Sequence, residues 1–186
     1  MELILASNSP RRKEILGKMG YSFSVVPSRF EESGEKECGE DTAKRLAFLK
    51  ASEVFSRVNR KDVVVLGADT IVYFNDKILG KPKDREDAFR MIKKLSGKTH
   101  KVITGFAIIT EDKIHNESVV SEVTFNDFSD DFINEYIDNC KPFDKAGSYG
   151  IQDGYNLVKK LRGSYNNVVG LPSEKIGEIL EEIFSK

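Results

Sequence analysis

The 186-residue chain has no tryptophan, two histidines, two cysteines and five prolines. Cys38 and Cys140 are isolated thiols without metal-ligand spacing, and His100 and His115 have no partner at such spacing. A zinc cluster and a disulfide scaffold are therefore excluded as organising principles. Both histidines read as structural or exposed. No apolar run is long enough to cross a membrane, and the opening Met1–Ala6 run is too short for a signal peptide. The net charge is −1, although 32% of the residues are charged. Nothing global therefore suggests a nucleic-acid coat or a membrane surface, and an anionic ligand would need a local cluster. The expectation is one cytoplasmic α/β domain spanning residues 1–186, with enough apolar content for a packed core.

Val63–Phe74, VVVLGADTIVYF, is the segment around which the rest is arranged. Its β-branched run reads as a buried strand interrupted by Gly67-Ala68-Asp69-Thr70. A carboxylate there must be paired, metal-bound or protonated. Asp69 is thus either a structural cap or a chemical centre. Gly67 and Ala68 clear space beside it for a ligand or another backbone.

Upstream, Leu3–Ala6 predicts a short strand. Ser9, Pro10 and Gly20 then supply the cap, first position and stop of a helix whose buried stripe is Ile15, Leu16 and Met19. Ser7 and Ser9 precede a helix N-terminus suited to phosphate. Arg11 and Arg12 oppose the helix dipole there unless an anion neutralises them. Tyr21–Val26 predicts a strand, and Ser33–Glu40 a polar loop. Glu40–Val58 predicts a helix, on which Lys50 either faces inward or reaches to solvent. Asn75-Asp76 joins Ile71–Phe74 to Lys77–Leu79 as a hairpin. Between Gly80 and Pro82, Lys81 is either a phosphate ligand or a surface lysine.

Asp84–Leu95 predicts a helix. Thr99–Thr110, with a bend at Gly105, and Ile114–Phe125 predict an antiparallel pair. Asp130–Asn139, capped by Ser129, predicts another helix. Asp144–Gln152 is a small-residue segment with close backbone approach. Gln152, which both donates and accepts, either reads a nucleobase edge or is an ordinary exposed glutamine. Leu157–Leu161 and Tyr165–Val169 predict short strands, and Pro172 opens a final helix.

Six segments occur in one order over nearly the whole chain: SNSPRR (Ser7–Arg12), GADT (Gly67–Thr70), GKP (Gly80–Pro82), LSGKTHKVITG (Leu95–Gly105), DKAGSYGIQ (Asp144–Gln152) and GSYNNVVGLP (Gly163–Pro172). Together they resemble the Maf family, which usually has Gly where this chain has Asn8. The resemblance implies an α/β fold with a mixed, bent central sheet flanked by helices and two lobes with a cleft, as in inosine triphosphatase-like proteins. It implies a nucleoside triphosphate pyrophosphatase of the branch acting on dTTP, UTP and modified pyrimidine nucleotides. Asp69 matches the family's proton acceptor, and Arg11, Thr70 and Gln152 its specificity positions. Arg12, Glu32, Lys50 and Lys81 match other polar positions of the pocket, Glu32 being placed by ungapped counting from SPRR. Asp69 and Glu32 would hold a divalent cation, Mg²⁺ by the hardness of its oxygen ligands. A homodimer and a link to septum formation are also implied. Two other expectations differ in class: a pyrophosphatase for modified purine triphosphates, and a division regulator that binds nucleotide without turnover.

Overall fold

The computed structural model describes residues 1–31 and 39–185. Glu32 and Cys38 lie outside the described residues. The strand around Asp69 is β3 (Val63–Phe74), and it is the trunk of one seven-stranded sheet. On one edge of β3, β1 (Glu2–Leu5) pairs in parallel and in turn carries β2 (Phe23–Val25), also in parallel. Further along that edge β4 (Lys77–Leu79) folds back as a hairpin through Asn75 and Asp76, both at positive φ. The opposite edge carries β5 (Thr99–Ile109), β6 (Ile114–Phe125) and β7 (Val158–Arg162), each antiparallel to its neighbour.

Residue parity along β3 assigns the layers. Val63 and Val65 pack beneath α2 (Gly39–Val58) with Ala51, Val54 and Ala107. Val64, Leu66 and Ala68 pack on the other face with Ile15 and Leu16 of α1 (Pro10–Lys18) and with Ile176 and Leu180 of α6 (Ser173–Phe184). Further along this second face, Val72 and Val102 join a separate core with α3 (Arg85–Leu95) and α4 (Asp130–Cys140).

Two expectations fail. Tyr165–Val169 is not a strand but a short helix, α5. Ser164 caps it by accepting from the Asn167 amide at 3.1 Å, Gly170 stops it at φ 129°, and the buried Asn167 amide donates to the Val102 carbonyl and Ser121 Oγ. Cap and stop outweigh the β-preference of Val168 and Val169. Gly105 does not mark a bend. It sits inside β5, paired with Asp69, where α2 comes down onto the sheet.

Candidate active site

β1 pairs with β3 as far as Leu66, and β4 pairs with it only from Val72. The intervening edge, Gly67–Ile71, is open over roughly 16 Å at about 3.3 Å per residue. Because neither neighbour covers it, side chains from both faces of β3 reach one space: Asp69 from the α2 side and Thr70 from the other. The segments leaving the two flanking strands, Ala6–Arg12 after β1 and Gly80-Lys81 after β4, wall this gap. The result is an open cleft of about 700 Å³. Ligand sites at the carboxyl ends of strands, where neighbouring chains diverge, follow the same logic.

Asp69 is buried, and its Oδ1 accepts from Lys50 Nζ at 2.5 Å. Of the two settings open to Lys50, the structure takes the inward one. What permits it is a seam of small residues. A Cβ on Gly67 would stand 2.6 Å from the Ala47 carbonyl oxygen, and one on Gly105 only 2.2 Å from the Ala43 carbonyl. The backbone that Gly67 admits is therefore that of α2, and Lys50 is carried on that helix to the Asp69 carboxylate.

On the opposite wall Ser9 caps α1, and Arg12 reaches across to Gly170 O (2.9 Å from Nε), Ser7 Oγ (3.2 Å from Nη1) and Thr70 Oγ1 (3.3 Å from Nη2). Thr104 Oγ1 donates to Asn167 O at 2.9 Å, so the 2.9 Å contact between the two threonine hydroxyls must use the Thr70 proton. Thr70 thus accepts from Arg12 and donates inward. Arg11 Nη1 binds Asp144 Oδ2 at 2.8 Å, which ties α1 to the far bank of the cleft. Burial pushes the Asp144 carboxyl up, but the Arg11 hydrogen bond and the Lys145 charge outweigh it, and the net shift is downward.

Lys81 is exposed on the rim, and no hydrogen bond or ion pair engages it among the described residues. The segment facing it is pinned by the Gly147 amide, which donates to the Gly80 carbonyl at 3.0 Å, and Gly147 holds φ 69° against the Val72 side chain. Gln152 also lines the cleft. All nine described residues expected at the site therefore line one cleft: Ser7, Ser9, Arg11, Arg12, Lys50, Asp69, Thr70, Lys81 and Gln152. The expectation for Glu32 lies outside the described residues.

Sequence reasoning missed Asp144 and Lys145. Lys145 is held 3.3 Å from Asp144 and 3.6 Å from Asp153, with its side chain 12% exposed. The available signal was an adjacent acid and base opening a glycine-rich segment. With Lys145, five cationic side chains face two carboxylates among the described lining residues, a balance suited to a polyanion.

The family comparison is consistent with this geometry from end to end: the Maf-like protein family matches residues 2–183. The chain belongs to the Maf family. Among relatives of this Maf chain, proteins named dTTP/UTP pyrophosphatase are 47% identical in Thermosipho africanus (97% of this chain, 92% of that protein) and 49% identical in Alkaliphilus oremlandii (98% and 96%). A third, from Thermococcus gammatolerans, is 48% identical (96% and 95%). Two solved structures share the fold of this Maf chain at low identity. A nucleoside-triphosphatase / dITP/XTP pyrophosphatase from Mycobacterium abscessus has TM-score 0.51 and 13% identity, covering 100% of this chain and 97% of that one. The Staphylococcus aureus Ham1 protein has TM-score 0.54 and 14% identity, covering 98% and 99%. At such identities they establish the mixed, helix-flanked sheet and nothing about substrate.

Beneath the cleft floor His100 is buried, with Nε2 2.7 Å from the Tyr149 hydroxyl and Nδ1 without a hydrogen-bond partner. Burial lowers its pKa from 6.5 to about 4. Between these values the unfolded chain binds a proton that the folded chain does not, so stability rises with pH across the window and is fully present above pH 6.5. Acidification is expected to remove about 2 kcal/mol by pH 5 and about 3 kcal/mol by pH 4. Urea unfolding of the native chain and of His100→Phe at pH 7 and pH 5 checks this. The native chain should lose about 2 kcal/mol more than the variant, and equal losses would contradict it.

Proposed function

We propose that this Maf chain hydrolyses the α–β phosphoanhydride of dTTP, UTP and related modified pyrimidine nucleotides, releasing the monophosphate and pyrophosphate. The observation that carries the reading is the convergence of the Asp69–Lys50 pair, Arg11 and Arg12 on the uncovered edge of β3. The names borne by relatives at 47–49% identity support the substrate.

The chain's own residues then have separate tasks. Arg11, Arg12 and the α1 N-terminus bind the triphosphate and offset charge at the phosphorus under attack. The Arg11–Asp144 ion pair opens or is shared as phosphate enters. Lys50 anchors one oxygen of Asp69, and the remaining carboxylate capacity accepts the proton of the attacking water. Lys81 faces the leaving pyrophosphate as a point charge. Thr70 and Gln152 meet the nucleoside. Among the described residues no group of three acidic, His or Cys side chains could hold a metal ion alone. Mg²⁺ needs only one or two carboxylates when phosphate oxygens and water complete its shell, so Asp69 fits, and the resemblance adds Glu32 as a second ligand. Bound there, Mg²⁺ would neutralise phosphate charge.

The test is turnover and product identity for dTTP, UTP, 5-substituted pyrimidine triphosphates, CTP, dITP and XTP, with and without Mg²⁺. Pyrophosphate and monophosphate from the uracil and thymine nucleotides are expected. Preference for dITP and XTP, or binding without pyrophosphate release, would overturn the reading. A cytoplasmic homodimer and a link to septum formation belong to the same proposal and rest on the family resemblance. For the described residues, no helix is long and apolar enough to cross a membrane.

A further inference from the structure

We propose that Asp153 is a positioning residue that locks the Gln152 amide with its carbonyl oxygen toward the substrate, and so selects pyrimidines carrying N3–H. The inference rests on the activity proposed above and names how its base specificity arises.

Gln152 Nε2 lies 3.3 Å from Asp153 Oδ1. A carboxylate only accepts, so the amide atom facing it must be the nitrogen, and Oε1 is turned elsewhere. Asp153 is itself held. Its Oδ2 accepts from Tyr136 OH at 2.7 Å and lies 3.6 Å from Lys145 Nζ, and its side chain is 12% exposed. Tyr136 OH in turn accepts from the Gly150 amide at 3.0 Å, which ties the same side chain to the loop that carries Gln152. The pair folds over Gly150: a Cβ there would stand 2.6 Å from both Gln152 Nε2 and Asp153 Oδ1. The exposed amide is therefore oriented by a charged acceptor on one side, in the room that Gly150 leaves. Asp153 does not itself line the cleft, whereas Gln152 does.

Uracil and thymine present an N3–H donor between two carbonyl acceptors, and a fixed Gln152 Oε1 matches that donor. Cytosine presents a lone pair at N3, which the same oxygen repels. A free amide would rotate and accept either base. Asp153 removes that freedom.

The readout is the ratio of kcat/KM for UTP to that for CTP. In Asp153→Asn the neighbouring amide can orient either way, and the ratio is expected to fall by about tenfold, partly through faster CTP turnover. Gln152→Leu should also flatten the ratio, and adding Asp153→Asn to it should change the ratio no further. Tyr136→Phe keeps the ring in its core but removes the 2.7 Å bond, so a smaller fall in the same ratio is expected; this variant decides the matter if Asp153→Asn fails to fold. An unchanged ratio in a folded, active Asp153→Asn or Tyr136→Phe protein, or an equal effect of Asp153→Asn in the Gln152→Leu background, would overturn the inference. Absence of pyrophosphate release by the native chain would instead overturn the activity on which it rests.

Discussion

Asp69→Asn is expected to lower kcat for dTTP and UTP by roughly 10²- to 10⁴-fold with a much smaller change in KM. An amide keeps the size of the side chain but cannot take up the proton of an attacking water. Triphosphate binding should persist, because Arg11, Arg12 and Lys81 belong to other segments of the cleft wall. The fold should persist too, since β3 is held by backbone pairing to β1, β4 and β5. A stability cost accompanies the change. Lys50 keeps a hydrogen-bond acceptor at position 69 but loses the charge of that carboxylate, and a cost of about 1–3 kcal/mol is expected. Lys50→Met is the companion variant: it removes the anchor while leaving the carboxylate, so activity should fall less than in Asp69→Asn. Steady-state kinetics with pyrophosphate detection, alongside thermal unfolding of the same preparations, separates chemistry from folding. An Asp69→Asn protein that turns over within about threefold of the native chain would remove Asp69 from the proton-transfer step.

The parts of this site that were legible in the sequence are those in which a residue conflicts with its own surroundings. A carboxylate inside VVVLGADTIVYF and two arginines in the first turn of α1 each break a local rule, and the structure places both on one cleft. The strand pattern was legible because β3 and β5 are long and apolar, and α1 because Ser9, Pro10 and Gly20 punctuate it. What was not legible depends on distance along the chain. Lys50 is nineteen positions from Asp69, and its orientation follows from where α2 lands, not from its own helix. The Asp144–Lys145–Asp153 group carries no period, because its geometry comes from a loop tied to Gly80 and Tyr136. Tyr165–Val169 reads as a strand in the sequence for a related reason. Five residues show no helical period, and the buried Asn167 that anchors α5 to β5 and β6 looks like any polar residue in one dimension.

Gly105→Ala is expected to be the most damaging glycine-to-alanine change among the described residues. The new carbon would stand 2.2 Å from both the carbonyl carbon and oxygen of Ala43 and 2.5 Å from the Lys44 amide nitrogen. These are backbone atoms of α2, so no rotamer change relieves the contact. Carbon atoms pack at about 3.5–4.0 Å, so the helix must retreat by more than roughly 1 Å. Overpacking of this kind costs about 3 kcal/mol or more, which for a chain of this length lowers Tm by roughly 6–12 °C. Gly177→Ala in α6 is the contrast. Its Cβ would meet only Met19 Cε at 3.6 Å, and replacing a helical glycine there should add roughly 0.5–1 kcal/mol. Differential scanning calorimetry of the two variants tests both signs, and a Gly105→Ala Tm within 2 °C of the native value would refute the tight seam. The same change should also cut turnover in protein that remains folded, because Lys50 retreats with α2 and the 2.5 Å contact to Asp69 lengthens. Stability and activity are expected to fall together at Gly105 because one approach, helix backbone onto glycine, both closes the core and delivers the ammonium to the carboxylate.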